Sequence, residues 1–165
     1  FLFKRLRVRP RAFPQVRIAQ LAALLKQSGR LFSSILEKED YKQLQLYFQV
    51  DTSGYWHTHY SFGKESEKLQ KCLGESSFNI ILINTVAPML FAYGRKTGQE
   101  KFCNRALHLL ETVKPERNTI VAEFMASGIS PVSAFDSQAL IQLRKEYCDK
   151  RKCLYCKIGY QILAR

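Results

Sequence analysis

Apolar residues recur along this chain mostly at helical spacing. Ile18, Leu21, Ala22 and Leu25 follow an i, i+3, i+4, i+7 pattern, predicting a helix over 14–26 with those four on its core face. Pro14 suits its first turn, where a missing N–H costs nothing, and Gly29 ends it. "LFSSILE" and "YKQLQLYF" predict two shorter amphipathic helices, with Asp40 as N-cap of the second. The stretch "FNIILINTVAPMLFAYG" is apolar on nearly every side, which predicts a central buried helix capped by Ser76 or Ser77. Pro88 cannot donate to the carbonyl of Asn84, so a bend is expected there. A buried Asn84 would need hydrogen-bond partners, at a cost of about 1–3 kcal/mol without them.

The later part of the chain continues the pattern. "TGQE" at 97–100 reads as a capping box for a helix whose inward face is Phe102, Cys103, Ala106, Leu107, Leu110 and Val113, closed by Pro115. Asn118 is placed to cap "TIVAEFMAS", which stops at Gly128. Asp136 is placed to cap "SQALIQLRKEYC", with Leu140, Leu143 and Tyr147 inward, and a last helix is expected around 154–164. "DTSGYWHTHYSFG" has no helical period and reads as an extended loop or short strand. No alternation is long enough for a substantial sheet. The expected fold is all-α: one compact domain of about seven or eight helices around a buried, proline-kinked central helix. Residues 1–13 read as a basic arm or linker, and 14–165 as the helical domain.

Composition narrows the class. The chain has 165 residues, 46% hydrophobic and 12% aromatic, which suits a packed globular protein rather than a disordered one. It opens on Phe1 instead of methionine, so it is expected to be part of a longer polypeptide. "FLFKRLRVRP" carries charge where a signal peptide needs an apolar stretch. The run 78–93 is interrupted by Asn84, Thr85 and Pro88 and falls short of the roughly 20 residues that span a bilayer. A cytoplasmic location without membrane contact is the expectation. The odd count of five cysteines argues against a disulfide framework.

A formal net charge of +12 points to an anionic partner such as DNA or RNA. The competing reading is a fragment that is basic because its acidic partner domain lies elsewhere in the polypeptide. In "FLFKRLRVRPRAF" an extended backbone would place Arg5, Arg7, Arg9 and Arg11 on one face, a comb able to follow phosphates; a solvated linker is the plainer alternative. Lys150, Arg151 and Lys152 form a second basic cluster.

That second cluster lies among cysteines. Cys148, Cys153 and Cys156 are spaced C-x4-C-x2-C, and a helix break at "DKRK" would bring them near one another. Reduced thiols bracing a helix corner is the reading the spacing favours. A zinc ion or an iron–sulfur cluster stays open, but each ordinarily takes four ligands and no fourth follows Cys156. His57 and His59 on a strand would project to one side, as in some metal hydrolases, yet only His108 could join them; aromatic packing with a polar edge accounts for them more simply. No nucleophile–base pair, phosphate loop or carboxylate pair stands at useful spacing, so this chain by itself is not expected to be an enzyme.

The segments "RPRAFPQVRIAQLAALL", "YWHTHYSFG", "LINTVAPMLFAYG", "KPERNTI" and "DSQALIQLRKEYCDKRKCLYCKIG" resemble the C-terminal part of a Bacteroidota family, domain of unknown function 2851. The resemblance covers nearly the whole chain. It implies a longer protein whose upstream region carries a GPDF…VEIH-like pattern, similar to the metal-binding core of PD-(D/E)xK nucleases. This segment would then be the non-catalytic helical partner of a metal-dependent nuclease-like domain, helping to hold DNA or RNA. No catalytic residue carries over to any position of this sequence. A structural or protein-interaction domain without nucleic-acid contact is the alternative.

Overall fold

The computed structural model describes residues 8–9, 12–52 and 54–163. The fold is all-α, with 68% of the described residues helical. Two compact units divide it, Phe1–Val86 and Ala87–Arg165.

The first unit begins with α1 (Pro14–Ser28), with Pro14 in its first turn and Gly29 closing it at φ 57°. Its inward face differs from the one periodicity predicts. Gln15, Val16, Gln20 and Leu24 are buried, whereas Ile18, Leu21 and Leu25 are 55, 51 and 49% exposed. For Gln20 the reason is polar satisfaction. Gln20 Nε2 donates to the Lys71 carbonyl at 2.7 Å, and Arg17 donates to Gln20 Oε1 at 2.9 Å and to Ser77 Oγ at 2.7 Å. A glutamine satisfied in this way enters a core without the usual desolvation cost. Burial also pulls the Arg17 guanidinium below its ordinary range.

Helices α2 (Leu31–Glu37) and α3 (Tyr41–Phe48) follow. Asp40 caps α3 as expected, accepting from the Gln43 N–H at 2.8 Å. The aromatic-rich segment folds as a short helix α4 (Gly54–His57) and an antiparallel hairpin, β1 (His59–Ser61) and β2 (Lys64–Glu65). Helix α5 (Glu75–Ile81) starts after Gly74, with no side-chain cap from Ser76 or Ser77. Phe78 anchors the core, with ring centroids 5.5 Å from Tyr41 and 5.4 Å from Phe48.

A π-helical turn, Leu82–Val86, occupies the position where a bend was expected. Pro88 lies just beyond it, and the wider turn accommodates the bond that Pro88 cannot make to Asn84. Asn84 is exposed, and its side chain donates to the Ile80 carbonyl at 3.0 Å. The stretch 75–97 is therefore amphipathic instead of buried all round: Leu82, Ile83, Val86, Ala87 and Leu90 are inside, and Ile80 and Phe91 are exposed. By length and composition alone, this 23-residue stretch, with a mean hydropathy of 1.4 over an 18-residue window, would suffice to cross a membrane.

The second unit opens with α6 (Ala87–Thr97) and α7 (Glu100–Thr112). The expected capping box does not form. Thr97 is still in α6, where its hydroxyl donates to the Tyr93 carbonyl at 2.8 Å, and Gln99 starts α7 without a side-chain bond. A Cβ on Gly94 would lie 2.8 Å from Cys103 Sγ and 2.9 Å from Cys103 N, so only glycine permits this approach of the two helices. Helix α7 buries Phe102, Cys103, Ala106 and Leu109; Leu107 is exposed.

Asn118 caps α8 (Thr119–Ala126) as expected, accepting from Val121 N–H at 2.9 Å. In α9 (Ala134–Leu143) the cap is Ser133, and Asp136 is its reciprocal partner in a capping box. A second π-helical turn, Arg144–Cys148, extends α9; Tyr147 on it is exposed, contrary to its expected inward place. A 3₁₀ turn (Cys153–Tyr155) and α10 (Lys157–Leu163) complete the described chain.

Candidate nucleic-acid interface

The C-terminal basic cluster sits on a defined helix-ending turn. Lys152 N–H donates to the Tyr147 carbonyl at 2.9 Å, and Arg151 N–H to the Cys148 carbonyl at 3.0 Å. These nested bonds form a Schellman motif, whose penultimate residue takes a left-handed backbone and is usually glycine. Here that residue is Arg151, at φ 51°, the only non-glycine with positive φ among the described residues. An L-residue there is disfavoured by about 1–2 kcal/mol.

The cations around the turn differ in availability. Lys150 Nζ bonds Glu146 at 2.5 Å, and that hydrogen bond, with the lysine's charge behind it, holds the Glu146 carboxyl below its usual range. Arg144 is held by Asp149 at 2.7 Å and Glu123 at 2.8 Å; the bond to Asp149 leads in pushing its pKa up. Arg151, Lys152 and Lys157 are exposed and make no ion pair among the described residues. Of the cluster 150–152, the turn therefore presents two free cations and one already neutralised.

Of the arginine comb, Arg9 is exposed, and Arg5, Arg7 and Arg11 lie outside the described residues. The cysteines are spread over the turn and its flanks: Cys148 ends the π turn, Cys153 starts the 3₁₀ turn, and Cys156 closes it. All three are free thiols, and no group of three or more His, Cys, Asp or Glu among the described residues is arranged to hold a metal. Gly159 fixes the local packing, since a Cβ there would run into the Cys153 carbonyl oxygen. Cys72 is a poor thiolate: burial pushes its thiol up, and Asp51 adds to the shift.

The histidines do not share one strand. His57 ends α4 and bonds Asp51 at 2.9 Å, whereas His59 stacks on Tyr55 with centroids 4.0 Å apart. Beside them lies a residue that periodicity misses. Lys71, only 3% exposed, donates through Nζ to the His57 carbonyl at 2.8 Å and sits 4.3 Å from the centre of the Tyr60 ring. A lysine in an unpatterned segment carries no sequence signal of burial.

These features define a basic, all-α protein with an exposed cationic turn. The chain belongs to the family described as protein of unknown function DUF2851, whose model matches residues 1–119. The match is shorter than the resemblance read from the sequence, and the cationic turn lies beyond it. No curated protein and no solved structure matches the chain.

Proposed function

We propose that this chain is a non-catalytic helical accessory domain that contributes sequence-independent binding to DNA or RNA. The observation that carries the reading is the Arg151–Lys152 pair, exposed and unpaired on a rigid turn of a protein with net charge +12. Phosphate contacts of this kind supply affinity without reading bases. The setting that goes with it is a longer Bacteroidota protein of the cytoplasm with a nuclease-like domain upstream, to which this segment adds grip.

The test is fluorescence anisotropy of the full chain with labelled oligonucleotides over a salt series. Binding should fall steeply with salt as counterions are released. Arg151→Ala with Lys152→Ala should flatten the logarithmic salt slope by about two, and alanine at Arg5, Arg7, Arg9 and Arg11 by up to about four. No binding at low salt defeats the proposal.

A second reading has its own observation. The exposed stripe Ile18, Leu21 and Leu25 on α1 is the kind of face that packs against another protein segment, such as an upstream domain of the same polypeptide. Loss of nucleic-acid binding together with retained protein association would favour it.

A further inference from the structure

We infer that the C-terminal corner is a stacking platform selective for single-stranded nucleic acid, an inference that rests on the reading of the basic turn as a phosphate contact. Tyr155 is 83% exposed and Tyr160 is 61% exposed, an unusual state for two aromatic rings on neighbouring elements. Both flank the free cations: Arg151 and Lys152 precede Tyr155, and Lys157 falls between the two tyrosines.

The corner is held stiff by its backbone. Tyr155 N–H donates to the Lys152 carbonyl at 3.1 Å, Cys156 N–H to the Cys153 carbonyl at 3.2 Å, and Tyr160 N–H to the Cys156 carbonyl at 2.8 Å. Gly159 seats α10 directly against Cys153, so the two tyrosines ride on one small packed unit. Four residues of chain lie between them, five steps with a reach of at most about 18 Å.

Chemistry selects the occupant. At about 100° per residue, Lys157 and Tyr160 lie roughly 60° apart on one side of α10, while Ile158 and Ile162 lie on the opposite side. Tyr160 therefore shares its side of α10 with Lys157 as well as with exposed Leu163; Ile158 and Ile162 face away, and Tyr155 follows Lys152 in the preceding turn beside exposed Leu154. An aromatic face beside guanidinium and ammonium groups is the combination that binds a single strand, bases stacking on rings and phosphates on charges. In a duplex the bases are stacked on one another, and only the charges retain a partner.

Anisotropy of the full chain should show a mixed-sequence single strand binding at least about tenfold more tightly than the same sequence as duplex. Tyr155→Ala and Tyr160→Ala should each weaken single-strand binding by about fivefold or more, leaving duplex binding and the salt slope unchanged; Tyr155→Phe should retain it. Circular dichroism would verify that these surface variants stay folded. Equal affinity for both forms, or tyrosine variants without effect while Arg151→Ala and Lys152→Ala lose binding, overturns the platform and leaves the basic-turn reading standing. No oligonucleotide binding at low salt overturns both. So does binding to phosphatidylserine vesicles alone, lost in Ile158→Ser with Ile162→Ser.

Discussion

The Lys152 N–H reaches back five residues to the Tyr147 carbonyl, and that 2.9 Å bond forces Arg151 into a left-handed backbone. Glycine would occupy this position without steric penalty. Arg151→Gly should therefore stabilise the fold, by up to about 1 kcal/mol, while weakening nucleic-acid binding. Paired urea-unfolding and anisotropy measurements would check the opposite signs; a destabilised variant refutes the account of the turn.

Gly94 is the tightest point between α6 and α7. Gly94→Ala would press a methyl group against Cys103 Sγ and the Cys103 and Gln99 backbones. Overpacking of this kind costs about 1–3 kcal/mol, despite alanine's better helix propensity. Thermal unfolding should show a clear drop in midpoint, and Cys103 should become more reactive to thiol reagents in the folded protein.

Lys71 is predicted to be structural. Lys71→Met keeps most of the stem but removes the donor to the His57 carbonyl and the charge over Tyr60. The expected loss is about 1–3 kcal/mol, read by urea unfolding. A neutral result would mean that water replaces the ammonium at no cost.

Asp136 supplies a pH signature. Its carboxylate accepts from the Val132 N–H, the leading cause, and from the Ser133 hydroxyl and N–H, and these bonds depress its pKa despite opposing burial. A depressed carboxyl contributes stability above its unfolded-state pKa of about 3.9 and loses that contribution as pH falls through the folded value. Asp136→Asn should therefore be less stable than the parent near neutral pH, with the gap closing as the solution is acidified below about pH 4.

How much of this was legible in the sequence varied with the physics involved. Pro14, Gly29, Asp40 and Asn118 announce helix ends through local backbone chemistry, and each sits where its chemistry predicts. The inward face of α1 was misread because periodicity counts Gln20 as polar, while its amide is satisfied by a carbonyl 51 residues away. Thr97–Glu100 has the letters of a capping box, but α6 runs on through Thr97 and takes up its hydroxyl. At the candidate interface, the charges of Lys150, Arg151 and Lys152 were visible; that Glu146 neutralises the first of them was not. Nor does sequence spacing distinguish Tyr147, Tyr155 and Tyr160 by exposure, because tertiary packing around the turn decides it.

The π-helical turn Arg144–Cys148 carries a further consequence. Such a turn holds one residue more than the α-helix it interrupts, so it absorbs that residue without turning the chain beyond it. Deleting Lys145, an exposed residue, would restore ordinary winding with little change of direction, since five residues of the wide turn and four of α-helix each sweep about one turn. The Schellman turn, its cations and its tyrosines would keep their aim. The same deletion in the regular part of α9 would swing them by about 100°, so the corner tolerates loss of a residue only where the helix already holds a spare one.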